Sequence, residues 1–177
     1  MDKQTFWKLI ESARAQAQSA PEEVSTRAAE LLAELPEAEI AEAQQVLWDL
    51  LSESYSAPLW AAAYVINGGC SDDGFDYFRG WLLTQGQAAF EAALADPDSL
   101  AAHPAVREAA ADGLELWDED ALSIAWSAYE SATGRELPAD SFTIGYPALD
   151  PSWDFDFDDT DETTARLPRL SALFDYS

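Results

Sequence analysis

Apolar residues recur every three or four positions from the N-terminus to about residue 133, in stretches that proline or glycine repeatedly cuts short. Such spacing is that of a helix with one buried face, and no strand-like alternation competes with it over this length. Phe6, Leu9, Ile10, Ala13 and Ala17 open the pattern, with Asp2 or Thr5 placed to cap the first helix. Ser19-Ala20-Pro21 breaks it, and Val24, Ala28, Leu31, Leu32 and Leu35 resume it with Glu22 and Glu23 at the favourable end of the helix dipole. After Pro36 a long helix carries Ile40, Ala43, Leu47, Leu50, Leu51 and Tyr55. Past Pro58, residues 59–66 are almost wholly apolar and predict a short buried helix. Further helices are predicted around Phe75–Leu82, over residues 87–95, from Pro104, and after Asp118 as far as Thr133-Gly134. The chain is therefore predicted to be all-α: a single compact multi-helix domain over residues 1–134.

Residues 135–177 read differently. Periodicity fades, prolines recur at 138, 147, 151 and 168, and Trp153, Phe155 and Phe157 alternate with Asp154, Asp156 and Asp158. A period of two predicts an extended segment with its aromatics on one face. The expectation is an extended acidic tail packed on the helical domain.

Size and charge narrow the function. A chain of 177 residues buries roughly 70% of its unfolded surface, enough for one core. A single cysteine permits no internal disulfide, the polar start Met1-Asp2-Lys3-Gln4 predicts no leader, and no apolar run reaches the ~20 residues of a membrane span. A cytoplasmic protein away from membranes is expected. Thirty-four acids face nine bases, a net charge of −25. Acids outnumber bases 11 to 4 over residues 1–66, 13 to 2 over 67–133 and 10 to 3 over 134–177. A field of this sign repels nucleic-acid phosphates and attracts basic proteins, although solubility alone is served equally well by it.

The segment Asn67-Gly68-Gly69-Cys70-Ser71-Asp72-Asp73-Gly74-Phe75, followed by Phe78-Arg79-Gly80-Trp81-Leu82, is the most specialised in the chain. Its glycines predict unusual backbone geometry at a helix entry. Either Asp72 or Asp73 would cap that helix, leaving the other free to pair with Arg79 or a cation. Asn67, Asp72, Asp73 and Arg79 are thus candidate ligand contacts, against the plainer reading of a cap and a local ion pair. Cys70 at the helix start would have its thiolate favoured by the dipole, and with His103, the only histidine, oriented by Asp72 it would form a nucleophilic triad if the fold brought the three together.

The tail carboxylates Asp154, Asp156, Asp158 and Asp159 are candidate partner contacts. They do not form a calcium loop, since Asp159 and Ala165 stand where that loop needs Gly and Glu. No phosphate-binding glycine loop and no nucleophile elbow occurs, and the sequence points to no metal and no cofactor.

Phe6-Trp7-x-x-Ile10, Leu59-Trp60-x-Ala62-Ala63-Tyr64, the glycine segment with its helix, and Asp96-Pro97-Asp98-Ser99-Leu100 together resemble an uncharacterised bacterial family common in actinobacteria, domain of unknown function 4240. The resemblance runs from about residue 1 to 134. It implies a helical module and transfers no reaction, cofactor or catalytic residue. The sequence therefore favours a non-catalytic acidic interaction or regulatory module, of which antagonism of a basic partner protein is the sharpest form. The alternative is a small-ligand binder or enzyme with its site at the Gly68–Arg79 loop and helix start.

Overall fold

The computed structural model describes residues 1–17 and 21–174, with backbone only for Pro21 and Glu22. The expected break at Ser19-Ala20 lies outside the described residues, as do Asp175, Tyr176 and Ser177 of the tail. The protein is all-α, and no strand occurs among the described residues. Its helices are α1 (Lys3–Gln16), α2 (Pro21–Ala33), α3 (Glu37–Glu53), α4 (Ala57–Asn67), α5 (Asp72–Thr84), α6 (Gln87–Ala95), α7 (Pro104–Asp112), α8 (Ile124–Thr133), α9 (Thr160–Arg166) and α10 (Pro168–Leu173). Short 3-10 turns lie at Pro97–Ala102, Asp120–Ser123 and Pro151–Trp153. None of the helices among the described residues is long and apolar enough to cross a membrane.

Helix α2 packs between α1 and α8, and α8 also lies on α3. Phe6, Trp7 and Ile10 of α1, Leu47 and Leu50 of α3, and Phe75, Phe78 and Trp81 of α5 meet in one core. Helix α4 is buried on most sides, as its apolar run predicts: Leu59, Ala61, Ala62, Ala63 and Ile66 are all inaccessible to solvent. Asp2 caps α1, its Oδ1 accepting from Thr5 N at 2.7 Å.

The tail departs from expectation. It contains two helices, and Leu167, Leu170 and Phe174 from it join the same core as the body. Asp159 caps α9, accepting from Asp161 N and Glu162 N, and Glu162 pairs with Arg166 one turn on. Pro168 sits in the first turn of α10, where its missing N–H costs nothing. No side chain of its own caps α10. Instead Asp98, 5% exposed, reaches across from the 3-10 turn and accepts from Arg169 N (3.1 Å) and Leu170 N (2.9 Å), while also accepting from Arg169 Nε at 2.9 Å. The turn at residues 96–99 is thus a clamp for the tail.

The alternating stretch keeps its two faces without being a strand. Trp153, Phe155 and Phe157 are half-buried and pack consecutively, with the Arg166 guanidinium 4.9 Å from both the Trp153 and Phe155 rings. Asp154, Asp156 and Asp158 face solvent. Between α8 and this stretch the chain has little regular structure. It is held by Gln45, which accepts from Thr143 N at 2.7 Å, and by the rings of Phe142 on Trp126 and Tyr146 on Tyr55.

Candidate functional site

The glycine segment is a helix junction with an unexpected division of labour. Gly68 closes α4 in the left-handed region (φ 66°), and Gly69 follows at φ 139°, backbone that favours glycine at both positions. Ser71, and not Asp72 or Asp73, caps α5: its Oγ accepts from Gly74 N at 3.1 Å. Ser71 takes the extended backbone of the capping position, so Asp72 and Asp73 become the first two helical residues, exposed in the first turn where the dipole favours them.

Asn67 and Arg79 face inward. The Asn67 amide donates to the Leu116 carbonyl (3.1 Å) and accepts from the Leu116 N–H (2.9 Å), so its polar capacity holds the 114–118 loop. Arg79 is fully buried. It pairs with Asp76, one turn away, rather than with Asp72 or Asp73, and donates to the Leu51 carbonyl. Its guanidinium lies 4.8 Å from the Phe75 ring centre and 5.2 Å from that of Tyr55. Burial pushes its pKa down and Asp76 opposes the shift. Its Nε has no hydrogen-bond partner among the described residues. The four candidate ligand residues are therefore not convergent.

The nucleophile reading fails on the same ground. Burial pushes the Cys70 thiol up to about 12, outweighing the opposite pull of Arg79. A helix start does not favour a thiolate that burial has removed from water. The thiol points to the Ser71 carbonyl at 3.7 Å, and His103 Nδ1 has no hydrogen-bond partner among the described residues. His103 packs edge-on against Trp81, beside Arg14, and the Cys70–His103 pair is not made.

A cleft of about 690 Å³ opens where the C-terminal end of α4 meets α9, α10 and the segment leading into α9. Tyr64, Phe157 and Phe174 form aromatic walls, and Asp158 stands at the edge. The Tyr64 hydroxyl donates to Asp158 Oδ1 at 2.7 Å, and the Tyr64 and Phe157 rings meet edge-on at 5.7 Å. The Asp158 bond is the main reason that the Tyr64 phenol is held above its ordinary pKa, with burial next and the Asp158 and Asp156 charges adding to it. Ser171 also lines the cleft, although its Oγ is turned away from solvent and has no hydrogen-bond partner among the described residues. No lysine, arginine or histidine is among the described residues lining it. Of the four tail carboxylates, only Asp158 belongs to the cleft. Asp156 Oδ1 accepts from Asp158 N at 3.1 Å, Asp159 caps α9, and Asp154 lies on the exposed face.

Sequence reasoning missed Tyr64 and Ser171 as cleft residues, and Asp76 as the partner of Arg79. Tyr64 lay in a segment whose apolar neighbours pointed only to burial. Asp76 sits at i−3 from Arg79, a spacing that does signal a helical ion pair. No group of three or more His, Cys, Asp or Glu placed to hold a metal occurs among the described residues.

The model of a family described as a protein of unknown function (DUF4240) matches residues 1–131, and the chain belongs to that family. No curated protein and no solved structure matches the chain.

Proposed function

We propose that the protein is a non-catalytic interaction or regulatory module whose acidic surface binds a basic partner protein. The observation that carries this reading is the fate of the cations. Among the described residues, seven of the nine lysines and arginines (Lys3, Arg14, Arg27, Arg79, Arg135, Arg166 and Arg169) pair with carboxylates of the same molecule. The excess of negative charge is thereby left to face solvent, where it steers a basic partner and repels phosphate backbones. Asp154, Asp156, Asp158 and Asp159 contribute a dense part of it, beside half-buried aromatics that offer apolar contact. In its sharpest form the partner is a nucleic-acid-binding protein whose cleft this surface covers. The reading assigns a cytoplasmic location and involves neither nucleic acid nor membrane. The alternative, a ligand or catalytic site at the Gly68–Arg79 segment, has less support, because Asn67 and Arg79 are committed to internal partners.

The test is an affinity pull-down from the native host, followed by association and dissociation rates across ionic strengths. Association should slow by about tenfold or more between low and moderate salt, with dissociation changing less. Recovery of no basic protein, or a rate indifferent to salt, refutes the proposal.

A further inference from the structure

We infer that the cleft between α4, α9 and α10 seats a basic peptide segment of the partner, holding a lysine side chain over the Tyr64 and Phe157 rings with its ammonium against Asp158. The inference rests on the interaction reading above and locates it. Two features single out this cleft from the rest of the acidic surface.

The first is shape. At about 690 Å³ the cleft lies within the range of sites that enclose a small ligand or a few residues of peptide, and aromatic rings from two separate parts of the chain wall it. The second is electrostatic. An aromatic face attracts a cation, and the attraction grows as water is excluded. Asp158 supplies the only charge among the described lining residues, and Asp156 adds a like charge close to Tyr64. Because Oδ1 of Asp158 is fixed by the Tyr64 hydroxyl, the carboxylate is oriented before any ligand arrives, leaving Oδ2 for an ammonium. An anionic ligand would meet no counter-charge here. Val65 and Ala172 leave apolar wall for the lysine stem.

The test uses the full chain and a capped five-residue peptide of lysine and alanine, titrated by calorimetry at about 50 mM salt, where screening is modest. The comparison peptide has every lysine acetylated, which keeps the shape and removes the charge. Three variants are compared: Asp158→Asn, Phe157→Leu, and Asp140→Asn as an exposed carboxylate outside the cleft. Asp158→Asn is isosteric and Phe157→Leu keeps an apolar side chain, and thermal melts confirm that each remains folded. The expected result is binding by the charged peptide alone, weakened about three- to tenfold by Asp158→Asn and by Phe157→Leu, with less than a twofold change for Asp140→Asn. Equal loss in Asp158→Asn and Asp140→Asn overturns the cleft while the general acidic surface survives. Absence of salt-dependent binding by either peptide refutes both. If n-butylammonium binds as tightly as the peptide, the cleft takes a free amine and the peptide assignment is wrong.

Discussion

Replacing Asp98 with alanine tests whether the tail is held by one carboxylate. In the native protein Asp98 stands in for the missing cap of α10, accepting from the N–H groups of Arg169 and Leu170 and from the Arg169 side chain. Loss of a helix cap costs about 0.5–2 kcal/mol, and leaving a buried donor such as Leu170 N unsatisfied adds about 1–3 kcal/mol. The Arg169–Asp98 bridge is also lost, but its arginine is half exposed and it adds little. The two ranges sum to about 1.5–5 kcal/mol, and a central loss of about 2–4 kcal/mol is expected. Opposing release are Leu167, Leu170 and Phe174, each burying an apolar side chain worth about 1.5–3 kcal/mol. The apolar sum exceeds the loss, so the tail of Asp98→Ala should stay docked on average but open far more often. Amide hydrogen exchange over residues 168–174 should accelerate about 30- to 1,000-fold, since 1.4 kcal/mol is a factor of ten. Exchange in α1 and α5 should change less. Asp98→Asn retains an acceptor and should fall between. Unchanged exchange in α10 for Asp98→Ala would show that apolar contact alone fixes the tail and that the clamp is incidental.

Gly80→Ala should destabilise the fold by about 1–3 kcal/mol in urea unfolding, because the new Cβ would lie 2.4 Å from the Asp118 carbonyl oxygen and 3.2 Å from Ala121 Cβ. That carbonyl is held in place, as Asp118 N donates to Tyr77 O and its side chain accepts from Ser25 Oγ and Ala121 N; the ~1 kcal/mol gain in helix propensity is outweighed, and a stabilised variant refutes the contact. Cys70, with its thiol raised from 9.0 to about 12, should react with iodoacetamide two to three orders of magnitude more slowly in the folded than in the unfolded chain at mildly alkaline pH, and equal rates refute the burial. His103 is held below its ordinary 6.5, chiefly by burial and secondly by Arg14. As the pH falls through 6.5 the unfolded chain takes up the proton first, so stability is lost toward acid, and His103→Gln should lose less of its melting temperature than the native protein between about pH 7.5 and about pH 5.5.

The helical body was legible because its signals are local. Spacing of apolar residues set α1, α3 and α4, and prolines and glycines marked their ends. Local signals also exist for α9, where Asp159 precedes Glu162 by three residues, but the alternation at Trp153–Asp158 suggested an extended path through the whole region. Helix α10 carried no such signal. Its cap lies some 70 residues upstream in Asp98, so nothing near residue 168 announces a helix except Pro168 itself. The site reading erred for a related reason. Asp72, Asp73 and Arg79 are near one another in sequence, but a helix places i and i+3 on one face, which pairs Arg79 with Asp76. Asn67 found its partner in Leu116, a pairing across the fold that no spacing encodes.

The boundary between body and tail is also less sharp in space than in sequence. The family match ends at residue 131, close to the end of α8, which suggests an independent domain with an appendage. Yet Leu137, Leu167, Leu170 and Phe174 belong to the same buried cluster as Phe6 and Trp81. Ending the chain at 134 would expose the surfaces those four side chains cover, and would leave Asp98 buried beside no donor from α10. Each effect is destabilising by itself, and they fall on the same region of 3-10 turn and α4. Loss of partner binding in such a truncation would then have two causes that binding alone does not separate: removal of the tail carboxylates and loosening of the wall that carries Tyr64. Point variants separate them. Asp154→Asn removes an exposed charge without touching the clamp, the α9 cap or the cleft, whereas Asp98→Ala loosens the wall without removing any tail charge. If the acidic tail acts by steering alone, the first variant slows association and the second leaves it unchanged. If the cleft is the seat of the partner, Asp98→Ala speeds dissociation while association keeps its salt dependence.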